Sequence, residues 1–265
     1  MAAPLTSMTF ADGNILASRR VPVTTIIINR AEMKNALNAK TVGGLAGAFQ
    51  MADADEEIRA IVVTGAGGCF CSGADLGELA ANGIYRPWAS AADGPLAVPL
   101  SKPVIAAIEG AASAEGLGVA LFCDIRIIDE TAAFSVASRL WGGPTGDGTT
   151  VRLPRLVGAG RALDMVISGR TVAADEALTM GLASRKAPRG ATRAEAEKLA
   201  HQIAALPQTA LLADRRSLYE GLDQDGAAAI AHEVALARAA YGAEAQAGAA
   251  RQAQRTGGSV RLLRV

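Results

Sequence analysis

The sequence has little histidine, little cysteine and no excess of either charge, and each shortage removes a class of chemistry. Its two histidines, His201 and His232, both fall in the C-terminal third. A Ser-His-Asp or Cys-His hydrolase needs an imidazole base beside its nucleophile, so neither is expected. The three cysteines, Cys69, Cys71 and Cys123, are an odd number in apolar sequence and read as buried reduced thiols rather than a disulfide framework. Zinc wants four ligands, and no histidine lies near Cys69 and Cys71, so no metal site is expected. Lys and Arg total 26 against 26 Asp and Glu, without a dense basic block. That balance removes the electrostatic basis for tight nucleic-acid binding or a polybasic membrane patch. No apolar run reaches the roughly 18 to 20 residues that cross a bilayer, and "MAAPLTSMTFADG" lacks the pattern of a signal peptide. The expected setting is cytoplasmic, with no nucleic-acid or membrane partner.

What is present is a chain of 265 residues, half apolar and one-fifth charged, enough to bury a large core. One domain with a helical appendage is expected. β-Branched runs at 24–29 (TTIIIN), 60–65 (AIVVTG), 103–110 (PVIAAIEG) and 124–129 (DIRIID) read as buried strands. Between the first two, Asn38 or Thr41 can cap a helix through Met51 with Val42, Leu45 and Phe49 as its apolar stripe. After residue 148 strand signals fade. Helices are expected at about 149–156, 160–168, 173–180, 192–206, 209–220 and 226–250, with Gly158, Gly169, Gly181 and Gly221 as stops. The aperiodic segment at 80–100 reads as a loop or short lid, and the tail from 255 as partly ordered or docked on a neighbouring subunit.

Two glycine-rich turns carry the functional signal. "VVTGAGGCFCSGADL" at 62–76 fails the dinucleotide fingerprint: after Gly65 and Gly67 the third glycine should fall at 70, which is Phe70. No Gly-Lys-Ser/Thr follows, so it is not a Walker loop either. Gly73 instead lets the backbone turn so that the Ala74 amide faces a cleft at a helix start, and "GAASAEGLG" at 110–118 supplies a second such turn. Two amides aimed at one point would form an oxyanion hole for a thioester in an enolate-like state. Each turn alone is more often just a tight turn.

The chain resembles the crotonase superfamily, also called the enoyl-CoA hydratase/isomerase family. The resemblance rests on "NRAEMKNALN" at 29–38, the 62–76 segment, "KPVIAAIEGAASAEGLGVALFCDIRI" at 102–127, "GGPTGDGTTVRLPRLVG" at 142–158 and "SGRTVAADEALTMGLASRKAP" at 168–188. It implies an α/β fold: a crotonase-like spiral of ββα units over residues 1–200, and a C-terminal helical trimerisation region over 201–265. It also implies homotrimers or dimers of trimers, an acyl-CoA substrate and no separate cofactor. The oxyanion amides would be those of Ala74 and Glu115. Lys34, Ala36, Leu37, Gly73, Asp75, Leu76 and Gly116 would line the CoA groove, with Lys34 placed to meet a CoA phosphate, although alone it reads as a solvated charge.

The pattern breaks at the acids. The two glutamates that activate water in the family's hydratases match Gly118 and Ser138, neither of which is a usable acid or base near neutral pH. Glu115 stands where the family usually has glycine. Its carboxylate can point outward and suit the helix N-terminus, reach the space vacated at 118 as a relocated catalyst, or oppose the oxyanion. In the last case a unit charge at ~4 Å would cost about 4 kcal/mol at an effective dielectric near 20. Asp147 is the second candidate, either capping the helix that holds Arg152 or acting as acid/base or nucleophile. Asp75 reads as a cap, Trp141 as a residue of the acyl pocket or core with Arg139 facing outward, and Ser72 and Ser113 as turn residues. The expected function is an acyl-CoA enzyme of the hydratase/isomerase type, a lyase or isomerase. The alternatives are an acyl-CoA-binding protein impaired in catalysis, and a thioester hydrolase or dehalogenase-like enzyme using Asp147.

Overall fold

The computed structural model describes residues 6–82, 88 and 94–256. About half of the predicted loop at 80–100 and nearly all of the tail from 255 therefore lie outside the described residues. Residues 1–203 and 204–265 form two compact units.

The first unit opens with a meander, β1 (Thr6–Phe10), β2 (Ile15–Arg20) and β3 (Val23–Ile28), paired antiparallel. Then come α1 (Ala39–Ala54), β4 (Ala60–Gly65), α2 (Leu76–Asn82), β5 (Val104–Ile108), β6 (Ala111–Ser113), α3 (Glu115–Phe122), β7 (Ile125–Ile128) and β8 (Ala133–Ser135). A 3-10 turn at Ala137–Trp141 leads to α4 (Thr149–Val157), α5 (Ala159–Ser168), β9 (Thr171–Ala173), α6 (Ala174–Thr179), β10 (Arg185–Lys186) and α7 (Thr192–Ala204). The repeating strand–strand–helix units are clearest in β5–β6–α3 and β7–β8–α4. One sheet runs β1-β2-β3-β4-β5-β7-β10, parallel from β3 onward, and a small one runs β6-β8-β9. The second unit holds α8 (Gln208–Gly221), α9 (Gly226–Ala240) and α10 (Ala243–Thr256).

The four predicted strands are β3, β4, β5 and β7, and their unbroken apolar character has a physical cause. Ile26, Ile28, Ile61, Val63, Ala106, Ile108 and Ile128 enter the main core on one face of the sheet. Val23, Val62, Ile105, Ala107 and Ile127 pack with Ala196, Leu199 and Ala200 of α7 on the other. A parallel sheet covered on both faces has no polar alternation to show. α1 starts as expected: the Asn38 side chain accepts from the Thr41 amide at 2.8 Å, and Val42, Leu45 and Phe49 are buried.

Three expectations are corrected. Strands do not end at 148, because β9 and β10 complete the two sheets with three and two residues, too short to carry a periodic signal. The single helix at 226–250 is two: α9 ends at Tyr241, and α10 starts after Gly242. Trp141 is not a core residue. It is 44% exposed, and its ring lies over Gly143, where a Cβ would come within 2.1 Å of it. The described residues contain no helix long and apolar enough to cross a membrane.

Candidate active site

The first turn is built by close backbone approach. Gly73 has φ +106°, open to glycine and strained for other residues, and a Cβ there would meet the Ala114 Cβ at 2.8 Å. Leu37 pairs with Ala74 as an isolated bridge: its amide donates to the Gly73 carbonyl at 2.8 Å, and the Asp75 amide donates to its carbonyl at 3.0 Å. Asp75 then caps α2, its Oδ1 accepting from the amides of Gly77 and Glu78, while Arg30 bonds its Oδ2 at 3.0 Å. Burial works against the charge on Asp75, yet Arg30 and those amides prevail and hold its carboxyl below the usual range.

The second turn is set by Ala114, at φ 48°, ψ −121°, an uncommon conformation for a residue with a side chain. Its amide donates to Ser135 of β8, and its carbonyl accepts from Leu117 and Gly118 in the first turn of α3. A Cβ on Gly116 would lie 2.2 Å from the Cys71 carbonyl oxygen, so α3 reaches this depth because residue 116 has no side chain.

The two turns meet at Glu115. Its Oε2 accepts from the Ala74 N–H at 2.8 Å and lies 3.0 Å from where a Cβ of Gly73 would stand. The outward orientation is thereby excluded: the carboxylate lies on the amide that the sequence assigns to a thioester oxygen. Burial pushes the Glu115 carboxyl above its ordinary range and the charge of Asp147 adds to this, against the opposing pull of the Glu115 and Ala74 amides.

Glu115 does not fill the space vacated at 118 either, because Asp147 does. A Cβ on Gly118 would come within 2.5 Å of Asp147 Oδ2, 2.6 Å of its Cγ and 2.7 Å of its Cβ. Asp147 is 2% exposed, and its Oδ1 accepts from the Thr149 amide at 2.9 Å. The N-cap of α4 is Gly148, with no side-chain cap, so Asp147 is not the cap residue that the sequence suggested; it accepts the first amide of the helix from one residue earlier and at the same time projects over Gly118. Burial pushes its carboxyl up, opposed first by the Thr149 amide. Arg152 donates to the Asp147 carbonyl at 3.1 Å, bonds the Leu96 carbonyl and lies 5.6 Å from the Phe122 ring centre.

The other predicted site residues separate by exposure. Ala36 and Leu37 are buried and present only backbone to a ligand, Leu76 is 51% exposed, and Lys34 is exposed in a left-handed backbone conformation. Ser138 is buried, and its hydroxyl has no hydrogen-bond partner among the described residues. Ser113 accepts a bond from Ser135. Two residues were not anticipated. Arg30 ties Asp75 to the Ala36 carbonyl, and the fully buried Asn35 joins the Arg30 amide to the carbonyls of Ala66 and Cys69. Their signal was a polar pair inside a motif that follows directly on a buried strand. Burial raises the Cys71 and Cys123 thiols to about 12, the range of inert cysteines. Among the described residues no group of three His, Cys, Asp or Glu is placed to hold a metal.

Comparison with known proteins gives the family. The enoyl-CoA hydratase/isomerase family matches residues 19–253. Enoyl-CoA hydratase EchA19 of Mycobacterium tuberculosis is 35% identical over 214 residues, 77% of this chain and 80% of its own length. The 2,3-dehydroadipyl-CoA hydratase of Escherichia coli is 33% identical, over 83% of this chain and 87% of its own. A crystal structure of an enoyl-CoA hydratase from Mycobacterium tuberculosis superposes with a TM-score of 0.84 at 30% identity, covering 91% of this chain and 96% of the other. The fold is thus the α/β crotonase fold, and the chain belongs to the enoyl-CoA hydratase/isomerase family.

Proposed function

We propose that the protein binds an acyl-CoA, polarises its thioester carbonyl with the amides of Ala74 and Glu115, and moves protons at the acyl carbons with the Asp147 carboxyl. The observation that carries this reading is Asp147 in the volume above Gly118. Gly118 matches the family's first catalytic glutamate, and here a carboxyl reaches the same place from the loop before α4. Burial raises Asp147 toward the range in which a carboxyl both gives and takes protons, and the Thr149 amide fixes one oxygen so that the other can face a substrate. One carboxyl suffices for two outcomes. It can accept a proton from a water attacking the β carbon and return one to the α carbon, or carry a proton from one acyl carbon to another. Lys34, Asp75, Leu76 and the backbone of 36–37, 73 and 116 form the proposed CoA groove. No cofactor beyond the thioester substrate enters this scheme.

Hydration of crotonyl-CoA tests the reading. Wild type is expected to turn over and Asp147→Asn to lose about 10²- to 10⁴-fold in kcat, the usual share of a general acid–base. Absence of wild-type turnover on a panel of enoyl thioesters, with binding intact, would favour the second reading, an acyl-CoA-binding protein. That reading draws on the carboxylate of Glu115 lying against the Ala74 amide.

A further inference from the structure

The Glu115 carboxylate has no role in the proton transfers assigned to Asp147, yet it holds the most exacting position in the site. Its Oε2 takes the Ala74 N–H at 2.8 Å, and Gly73, being glycine, leaves the room it needs, since a Cβ there would be 3.0 Å away. Its own backbone N–H also favours its charged form. The carboxylate thus occupies the Ala74 amide that the proposed function reserves for the thioester oxygen. The turn beneath it is fixed: Ala114 is hydrogen-bonded to Ser135, Gly73 to Leu37, and Gly116 lies against the Cys71 carbonyl. These contacts hold the Ala74 amide in place, and the Glu115 side chain is the group that a rotation can move away from it.

A thioester carbonyl and a carboxylate oxygen cannot share the Ala74 N–H in the same geometry. The incumbent has the advantage, because a hydrogen bond to an ionised acceptor is roughly twice as strong as one to a neutral carbonyl. We propose that Glu115 is an intramolecular plug of the oxyanion site, closed in the free protein and displaced only by an acyl-CoA whose carbonyl enters the turn. The plug rests on the assignment of the Ala74 and Glu115 amides to the thioester oxygen. It makes the productive site a minor state of the free protein, and apparent affinity for an acyl-CoA falls by the fraction of molecules that are open. It also separates two parts of one ligand. The CoA moiety binds irrespective of the plug, whereas the acyl carbonyl has to expel it.

That separation defines the test. Isothermal titration of full-length wild type, Glu115→Ala and Glu115→Gln would be run with butyryl-CoA, which carries the carbonyl but no double bond, and with free CoA, which carries neither. Glu115→Ala is expected to bind butyryl-CoA about tenfold more tightly than wild type, the change for a site one-tenth open, with CoA affinity unchanged. Glu115→Gln keeps a neutral acceptor of the same length and is expected to fall between the two. It serves as the reporter if the alanine protein does not fold. Butyryl-CoA affinity that is equal to or weaker than wild type in both variants, with CoA binding retained, would overturn the plug and leave the acyl-CoA assignment standing. Failure of wild type and both variants to bind either ligand would overturn that assignment and the plug with it.

Discussion

At the scale of single residues, the site holds two carboxyls, Glu115 and Asp147, whose charges oppose each other and whose burial raises both. Such groups carry a cost in stability. A carboxyl whose folded-state pKa lies above its ordinary value, 3.8 for Asp147, binds more protons folded than unfolded between those two values. Stability therefore falls as pH rises through that window. The cost is absent below the ordinary value and complete above the raised one. Asp147→Asn keeps the acceptor for the Thr149 amide and removes the charge. The variant is expected to melt above wild type near neutral pH, with the difference closing as pH falls below the ordinary carboxylate range. Thermal melts of both proteins across that range check it, and a variant less stable at every pH would contradict the burial argument. Asp75 behaves oppositely, because Arg30 and two amides stabilise its charge. Asp75→Ala removes a helix cap and leaves Arg30 with the Ala36 carbonyl but without its carboxylate, and is expected to cost about 2 kcal/mol in denaturant unfolding.

At the scale of elements, the proposed chemistry depends on how near α3 comes to the chain around it. Gly116 has the Cys71 carbonyl at 2.2 Å from its would-be Cβ, a backbone atom that cannot turn aside. Gly116→Ala is expected to cost about 3 kcal/mol or to prevent folding, read by denaturant unfolding. Gly118 differs, because its neighbour is a side chain. Gly118→Glu puts the acid back on α3 but collides with Asp147, so it should lose activity alone and regain part of it when combined with Asp147→Gly. Crotonyl-CoA hydration by the two variants checks this, and a double variant no better than the single would show that the two positions do not share one volume. The sequence disclosed the long elements for a related reason. β3, β4, β5 and β7 are apolar on both faces, and α1 announces itself with Asn38. β6, β8, β9 and β10 hold two or three residues each, below the length at which any period shows. Ala74, Glu115 and Asp147 could be picked out by type and position. Their arrangement could not: Asp147 meets Gly118 across twenty-nine residues of chain, and a single side-chain rotation decides whether Glu115 faces solvent or Ala74.

At the scale of the whole molecule, apolar residues remain uncovered. Leu140, Leu163 and Ile167 are exposed in the first unit, and Leu218, Ile230 and Val234 in the second. The family resemblance implies a trimer or a dimer of trimers, and such an assembly is expected to cover part of this surface, so the protein is expected to sediment as one or the other. A species of about 27 kDa in sedimentation velocity at micromolar concentration would contradict this.

The loop at 142–148 gives the architecture one more property. In the pattern the family resemblance implies, one acid would follow the oxyanion turn on the same helix, α3, where this chain has Gly118. Here the carboxyl is borne by a segment with four glycines in seven residues, while the amides stay in a rigid, interlocked crossing. On the proposed assignment, insertions or substitutions in that loop are expected to shift the Asp147 carboxyl against the Ala74 amide. The carbon that reacts would then be set by the loop rather than by α3.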